Sequence, residues 1–325
     1  MTRPNKLGFL ALAALAAVAL AGCRSRSTVN GTFDRTFKVS GPVRLELTNG
    51  SGESRVTVGQ AGEVRIHGEI RVRSWSQESS QRRIRELEAN PPVAQDGALI
   101  RVGGVGGRVG NFVVDYVVQV PAETQIRAVN GSGDLDVNGI RGPANFTVGS
   151  GNITGSGIGG DVQVRAGSGE IQLSNIRGLV EATAGSGDVK LNSVHGEIRL
   201  QTGSGTIQIV QPGDAVAAST GSGRITINGA STDLRLSAAS GDITVEGNPG
   251  SSNYWDFHTT SGNVALHVPQ SASFRLYART SSGEINAAIP IVMEGTTGKR
   301  ELRARLGDGK ARVEIATASG NIALH

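Results

Sequence analysis

The chain has 325 residues, of which 47 are glycine and 4% are aromatic, with a formal net charge of +4. The glycines recur at fixed positions, which excludes a collagenous or low-complexity chain. So small a charge excess excludes the clustered basic surface of a nucleic-acid-binding protein. A lone cysteine excludes an internal disulfide framework.

Residues 1–22 read as a targeting segment. Arg3 and Lys6 precede an apolar run from Leu7 to Leu20, too short to span a bilayer comfortably as a helix. Removing it takes Arg3 and Lys6 with it and leaves a charge of +2. The run ends in Leu20-Ala21-Gly22-Cys23. Small residues before a lone cysteine resemble the lipobox of bacterial lipoproteins, which implies cleavage before Cys23, acylation (palmitate and related chains) and membrane attachment through that residue. Several acyl chains give durable anchoring. The next residue, Arg24, is not an acidic retention residue, which in a diderm host implies the outer membrane.

Residues 23–31 read as a tether and 32–125 as an N-terminal β region. Val43 to Asn49 alternates apolar and polar side chains, as a half-buried strand does. It leads into Asn49-Gly50-Ser51-Gly52. A helix is predicted over about 75–90, with Ser74 and Gln77 at capping-box spacing, good helix formers from Gln81 to Glu88, and Pro91-Pro92 as the stop. Trp75, Ile84 and Leu87 are its large apolar residues, so it should lie on the strands and cap an open end. Gly103 to Gly110 lacks the Gly-Lys-Ser/Thr ending and following helix of a phosphate-binding loop, and reads as a turn.

Residues 126–325 are predicted to be a repeat array, regular over 130–245 and looser over 246–325. A Ser-Gly phrase recurs every 18 residues, at Ser132-Gly133, Ser150-Gly151, Ser168-Gly169, Ser186-Gly187, Ser204-Gly205, Ser222-Gly223 and Ser240-Gly241. Such a period marks a solenoid. Counted from each serine, positions +3, +5, +8, +12 and +14 are mostly aliphatic: Ile171, Leu173, Ile176, Val180 and Ala182 in one unit, Ile207, Ile209, Pro212, Val216 and Ala218 in another. Two facing strands per unit, with corners at the Ser-Gly phrase and near +9, give an all-β parallel β-solenoid with 18-residue coils and one short helix. A right-handed winding is the default for parallel crossovers. A three-sided coil also fits the length. The invariant glycine is expected where a corner needs positive φ or close approach of coils, and the serines are expected to form a structural turn ladder. The phrase recurs at Ser261, Ser282 and Ser319, with Trp255, Phe257 and Thr259, then Phe274, Leu276, Ala278 and Thr280, then Val313, Ile315 and Thr317 predicted inward before it.

No catalytic residue, metal ligand or cofactor emerges. A calcium-binding β-roll needs a carboxylate at one turn position in coil after coil. Position +2 here reads Asp134, Asn152, Glu170, Asp188, Thr206, Arg224 and Asp242. No serine sits on a nucleophile elbow, and the five histidines form no metal-binding spacing. The outward residues Arg275, Tyr277 and Arg279, with Arg303 and Arg305 nearby, are the candidate binding patch, suited to acidic glycans or lipid headgroups.

The lipobox, the iterated Ser-Gly-[Asp/Asn/Glu]-Ile phrase and the closing Thr317-Ala-Ser-Gly-Asn-Ile resemble the bacterial "putative adhesin" β-strand repeat family, similar to auto-transporter adhesin heads. The likeness spans about residues 30–325. It implies a β-solenoid on the cell envelope and supplies no catalytic residue. The function expected is a non-enzymatic, lipid-anchored adhesive or structural module with a glycan or envelope-protein partner. The alternatives are an envelope-stress or signalling accessory bound to a membrane partner, and a glycan-active enzyme.

Overall fold

The computed structural model describes residues 27–74, 76–104, 112–250, 253–294 and 298–325. The expected signal segment, Cys23 and Trp75 lie outside these residues, as does most of the 103–110 turn.

Alternation of apolar residues on two strands lets each 18-residue unit close on itself as one coil. In one unit, strands Ile171–Ile176 and Val180–Ser186 bury Ile171, Leu173, Ile176, Val180 and Ala182 and turn their polar residues outward. The strand after each Ser-Gly corner joins a fourteen-stranded sheet, and the strand before it joins a fifteen-stranded sheet. The coil is therefore two-sided. Successive coils pair in parallel and in register, Ile171 beside Val189 and Ala182 beside Leu200, so each buried column runs up the stack. β-branched side chains suit such a half-buried pleated surface. At about 4.8 Å per strand the sheets extend roughly 65 Å.

A further column lies at +16, immediately before the Gly-Ser pair. It begins with Asn49 and Asn130, continues through small apolar residues such as Ala166 and Ala184, and includes Thr202, Thr220, Thr259, Thr317 and Thr280. The threonines are buried, and their hydroxyls donate to glycine carbonyls of neighbouring corners, as Thr259 Oγ1 does to Gly241 O at 3.0 Å. Bonding satisfies a hydroxyl that would otherwise be costly to bury.

The two ends depart from sequence order. The coil of Arg44–Ser51 and Ser54–Val58 lies inside, flanked by Gln125–Ser132 and Leu135–Asn138 on one side. On its other side lie Leu99–Gly103 and Phe112–Val120, from later in the chain. At the far end the last coil, Ala311–Ser319 and Ile322–Leu324, is intercalated between Tyr254–Ser261/Val264–His267 and Phe274–Ser282/Ile285–Ala287. The inward assignments of Trp255, Phe257, Phe274, Leu276, Val313 and Ile315 hold, since all six are buried.

Antiparallel strands finish each end. Glu301–Leu306 covers Phe274–Ser282, with Val292–Met293 beyond it. At the other end, Glu63–Ser74 pairs with Phe112–Val120, and Ser27–Lys38 pairs with Glu63–Ser74. Among the described residues, strand structure is already present from Ser27, inside the stretch expected to be a tether. The helix spans Gln77–Ala89, capped by Ser76 rather than Ser74. It buries Ile84 and Leu87 and lies over the outermost strand, where Glu88 accepts the Thr32 N–H at 3.1 Å. Covering a free strand edge this way removes a template for intermolecular pairing.

Candidate binding face at the C-terminal end

The repeated corners were the first candidates, and their geometry is structural. The serines from Ser132 to Ser240 pair in register from coil to coil and are exposed. Their glycines sit at positive φ, +153° at Gly205, where a Cβ would stand 2.0 Å from the Gly187 carbonyl oxygen. Both positive φ and backbone contact therefore demand glycine. Besides the +16 threonines, the side-chain bonds of the corner come from position +2 rather than from the serine hydroxyls. Asp134 Oδ1 accepts the Asn152 N–H at 2.8 Å, Asn152 Oδ1 accepts Glu170 N–H at 3.0 Å, and Asp188 Oδ1 accepts Thr206 N–H at 2.8 Å. Asp and Asn at +2 are acceptors for the next coil, which explains their prevalence without a ligand. The second corner turns at +7, where Gly139, Gly157, Asn175, Ser193, Gln211 and Gly229 all have positive φ. Among the described residues no group of three or more His, Cys, Asp or Glu side chains is placed to hold a metal ion.

The basic candidates do converge. Antiparallel pairing sets Arg275 opposite Arg305, Tyr277 opposite Arg303 and Arg279 opposite Glu301. Alternation turns all of them away from the core, because Phe274, Leu276, Ala278, Leu302, Ala304 and Leu306 face inward. The Arg303 guanidinium lies over the Tyr277 ring, 5.1 Å from its centroid. Such a contact restrains both groups. Glu301 bonds Arg303 at 2.9 Å and lifts its pKa above the ordinary value. Arg305 pairs with Glu294 at 3.2 Å. Arg275 and Arg279 are exposed and have no carboxylate partner among the described residues.

Intercalation of the last coil adds residues that the linear order concealed. Arg312 comes beside Arg275, and Glu314 beside Tyr277. On the next strand inward, Tyr254 adjoins Arg312 and Asp256 adjoins Glu314. Arg312 pairs with Glu314 and lies 5.8 Å from the Tyr254 ring centroid. The Tyr254 hydroxyl donates to Glu314 Oε2 at 2.9 Å; partial burial and then this bond raise its pKa. Of the three tyrosines, Tyr116 is buried and the other two lie on this face. The sequence signal was available: the Ser-Gly phase aligns Arg312 with Arg275, but the stacking order is not written in it.

Further along the same sheet, Arg235 adjoins Asp256. Here the outward residues shrink to Ala217 and Ser219, leaving a trough of about 370 Å³ between Arg199 and Arg235, with Asp256 and His258 at its end. Asp256 Oδ1 stands 3.0 Å from His258 Nε2, yet it is buried and lacks an aligned hydrogen-bond donor. A larger concavity of about 470 Å³ lies near the opposite end, around Arg55, Asp134, Asp136 and Glu170. Its charges satisfy one another: Arg55 pairs with Asp136 at 3.3 Å and Lys190 with Glu170 at 2.9 Å. The C-terminal face is therefore the better candidate.

Fold and site together define a two-sheeted parallel β-solenoid whose corners are structural and whose uncommitted polar chemistry lies on one end face. The chain belongs to the Toastrack DUF4097 family, whose model matches residues 44–227 and again 214–325. Among solved structures it is similar to a "putative adhesin" from Parabacteroides distasonis ATCC 8503, with 12% identity, 91% of this chain and 97% of that one covered, and a TM-score of 0.35. A "putative adhesin" from Bacteroides fragilis NCTC 9343 gives 13%, 91%, 97% and 0.29. A "putative cell adhesion protein" from Clostridium sporogenes ATCC 15579 gives 11%, 90%, 99% and 0.21. No curated protein matches the chain.

Proposed function

We propose that the protein is a non-enzymatic, lipid-anchored module of the cell envelope that acts by adhesive or structural binding through its C-terminal face. Cys23 is the attachment point, and the outer membrane is its location in a diderm host. The observation that carries the reading is the separation of the two functions along the rod. Strand Ser27–Lys38, a few residues after Cys23, lies at one edge of the array, and Phe274–Ser282 lies near the other. At about 4.8 Å per strand these are roughly 60 Å apart, several Debye lengths at physiological salt. A rod anchored at one end presents the other beyond the headgroup layer. Among the described residues no helix is long and apolar enough to cross a membrane.

Two measurements test this. Cys23→Ser should move the protein from the membrane fraction to the soluble fraction, and retention in the membrane would overturn the anchor. Cells displaying the wild-type chain should adhere to surfaces or aggregate more than cells lacking it. Equal behaviour of the two strains across abiotic, glycan-coated and cell surfaces would overturn the binding role.

A further inference from the structure

We infer that the C-terminal face and the adjoining trough form one extended subsite for an anionic polysaccharide. This rests on the binding role above and names its ligand. The outward row of the fifteen-stranded sheet reads Arg303, Tyr277, Glu314, Asp256, Arg235, Ala217 and Arg199 across consecutive strands. At about 4.8 Å per strand it runs roughly 29 Å along the rod axis. An elongated polymer fits that path better than a compact anion does.

Three features of this row and the one beside it match sugar acids rather than bare charge. Arg235 and Arg275 are exposed and have no carboxylate partner among the described residues, while Arg303, Arg312 and Arg199 are held by Glu301, Glu314 and Glu197. The free guanidiniums can grip a carboxylate or sulfate with paired N–H donors at no cost in broken ion pairs. Tyr254 and Tyr277 are each fixed by an arginine and offer a flat apolar edge to a sugar ring. The small residues Ala217 and Ser219 leave room for a saccharide unit beside Arg235.

The test uses the full chain in detergent, titrated with polygalacturonate, heparin, neutral dextran and inorganic polyphosphate. Binding to one or both acidic polysaccharides, at least tenfold tighter than to dextran and polyphosphate, is expected. Arg235→Ala and Arg275→Ala should each weaken it by about threefold to tenfold, since exposed charged contacts contribute about 1 kcal/mol. Thermal unfolding of each variant at the wild-type midpoint separates lost contacts from lost structure. Polyphosphate binding as tight as the best polysaccharide would reduce the face to plain electrostatics and overturn the inference, and so would dextran binding or no binding at all. Cells that still adhere through a chain that binds no acidic polysaccharide would overturn the ligand assignment while leaving the adhesive role standing.

Discussion

The middle of the rod and its two ends solve the same problem differently. Between Gln125 and Val245 every coil follows the previous one in sequence, pairs in register and repeats the same buried columns. Adding a coil there exposes no new edge, so neighbouring copies of one short phrase suffice. At the ends there is no next coil. The chain doubles back, places an earlier or later segment outside, and lays antiparallel strands and a helix over what remains. Repetition fixes the inward columns and the corners of the middle and leaves only outward positions such as Arg199, Ala217 and Arg235 free to vary, whereas the irregular end has further side chains to spare. The proposed binding role falls on outward positions because the inward ones are already occupied by packing and the corners by hydrogen bonds.

The sharpest way to break this contrast is to place one charge in each region. Ile207 is fully buried in the central column and Val292 is 57% exposed on the outermost strand. Ile207→Asp should cost about 5 kcal/mol or leave the protein insoluble, because the carboxylate has no partner there. Val292→Asp should stay within about 0.5 kcal/mol of wild type. Urea unfolding midpoints measure both, and a wild-type midpoint for Ile207→Asp would dissolve the column.

The next effect belongs to the N-terminal end. Burial pushes the Tyr116 phenol up to about 12, beside Phe33 at 6.3 Å between ring centroids. A raised folded-state value favours the neutral phenol, so its contribution is complete below pH 10. It is lost as the pH rises from the unfolded value of 10.0 toward 12. Two pH units correspond to about 2–3 kcal/mol. Stability measured against pH should therefore fall steeply above pH 10, and Tyr116→Phe should flatten most of that fall. Tyr254, shifted the same way at the other end, leaves a smaller residual slope.

The smallest effect tests whether the corners are purely structural. Asp188→Ala removes the acceptor for the Thr206 N–H and should cost about 1 kcal/mol. Amide hydrogen exchange at Thr206 should quicken while the ends stay unchanged. Unaltered exchange there would show that the +2 ladder carries no weight.

The array was legible in the sequence because a solenoid writes its contacts at one spacing. The period, the inward columns through Val245, the glycine corners and even the phase of Trp255, Phe274 and Val313 followed from counting. The +16 column was read as inward only at Thr259, Thr280 and Thr317; in the regular coils it was missed because Val148, Ala184 and Thr202 share a position without sharing a residue class. The serine hydroxyls looked like the corner's hydrogen-bonding groups, being invariant, yet the variable +2 residue makes those bonds. Arg275, Tyr277, Arg279, Arg303 and Arg305 could be grouped because they lie on two adjoining strands. Arg312 and Glu314 could not, since their place beside Arg275 and Tyr277 depends on the last coil entering between two earlier ones. Stacking order is a tertiary choice among in-register parallel neighbours, and identical columns make the alternatives look alike in the sequence.

That intercalation sets the timetable of maturation. A chain that emerges amino end first releases Phe274–Leu306 before Ala311–Leu324, the surface on which Phe274–Ser282 must dock. Coils as far as Tyr254–His267 can zip as they appear, but the segment after them must wait, unassembled, for the final residues. The carboxyl terminus is thus a keystone: until it slides home, the outer hairpin and every arginine on it have no fixed place. The proposed binding face would be the last part of the molecule to form, and a chain cut short near residue 310 should keep its rod while losing its tip.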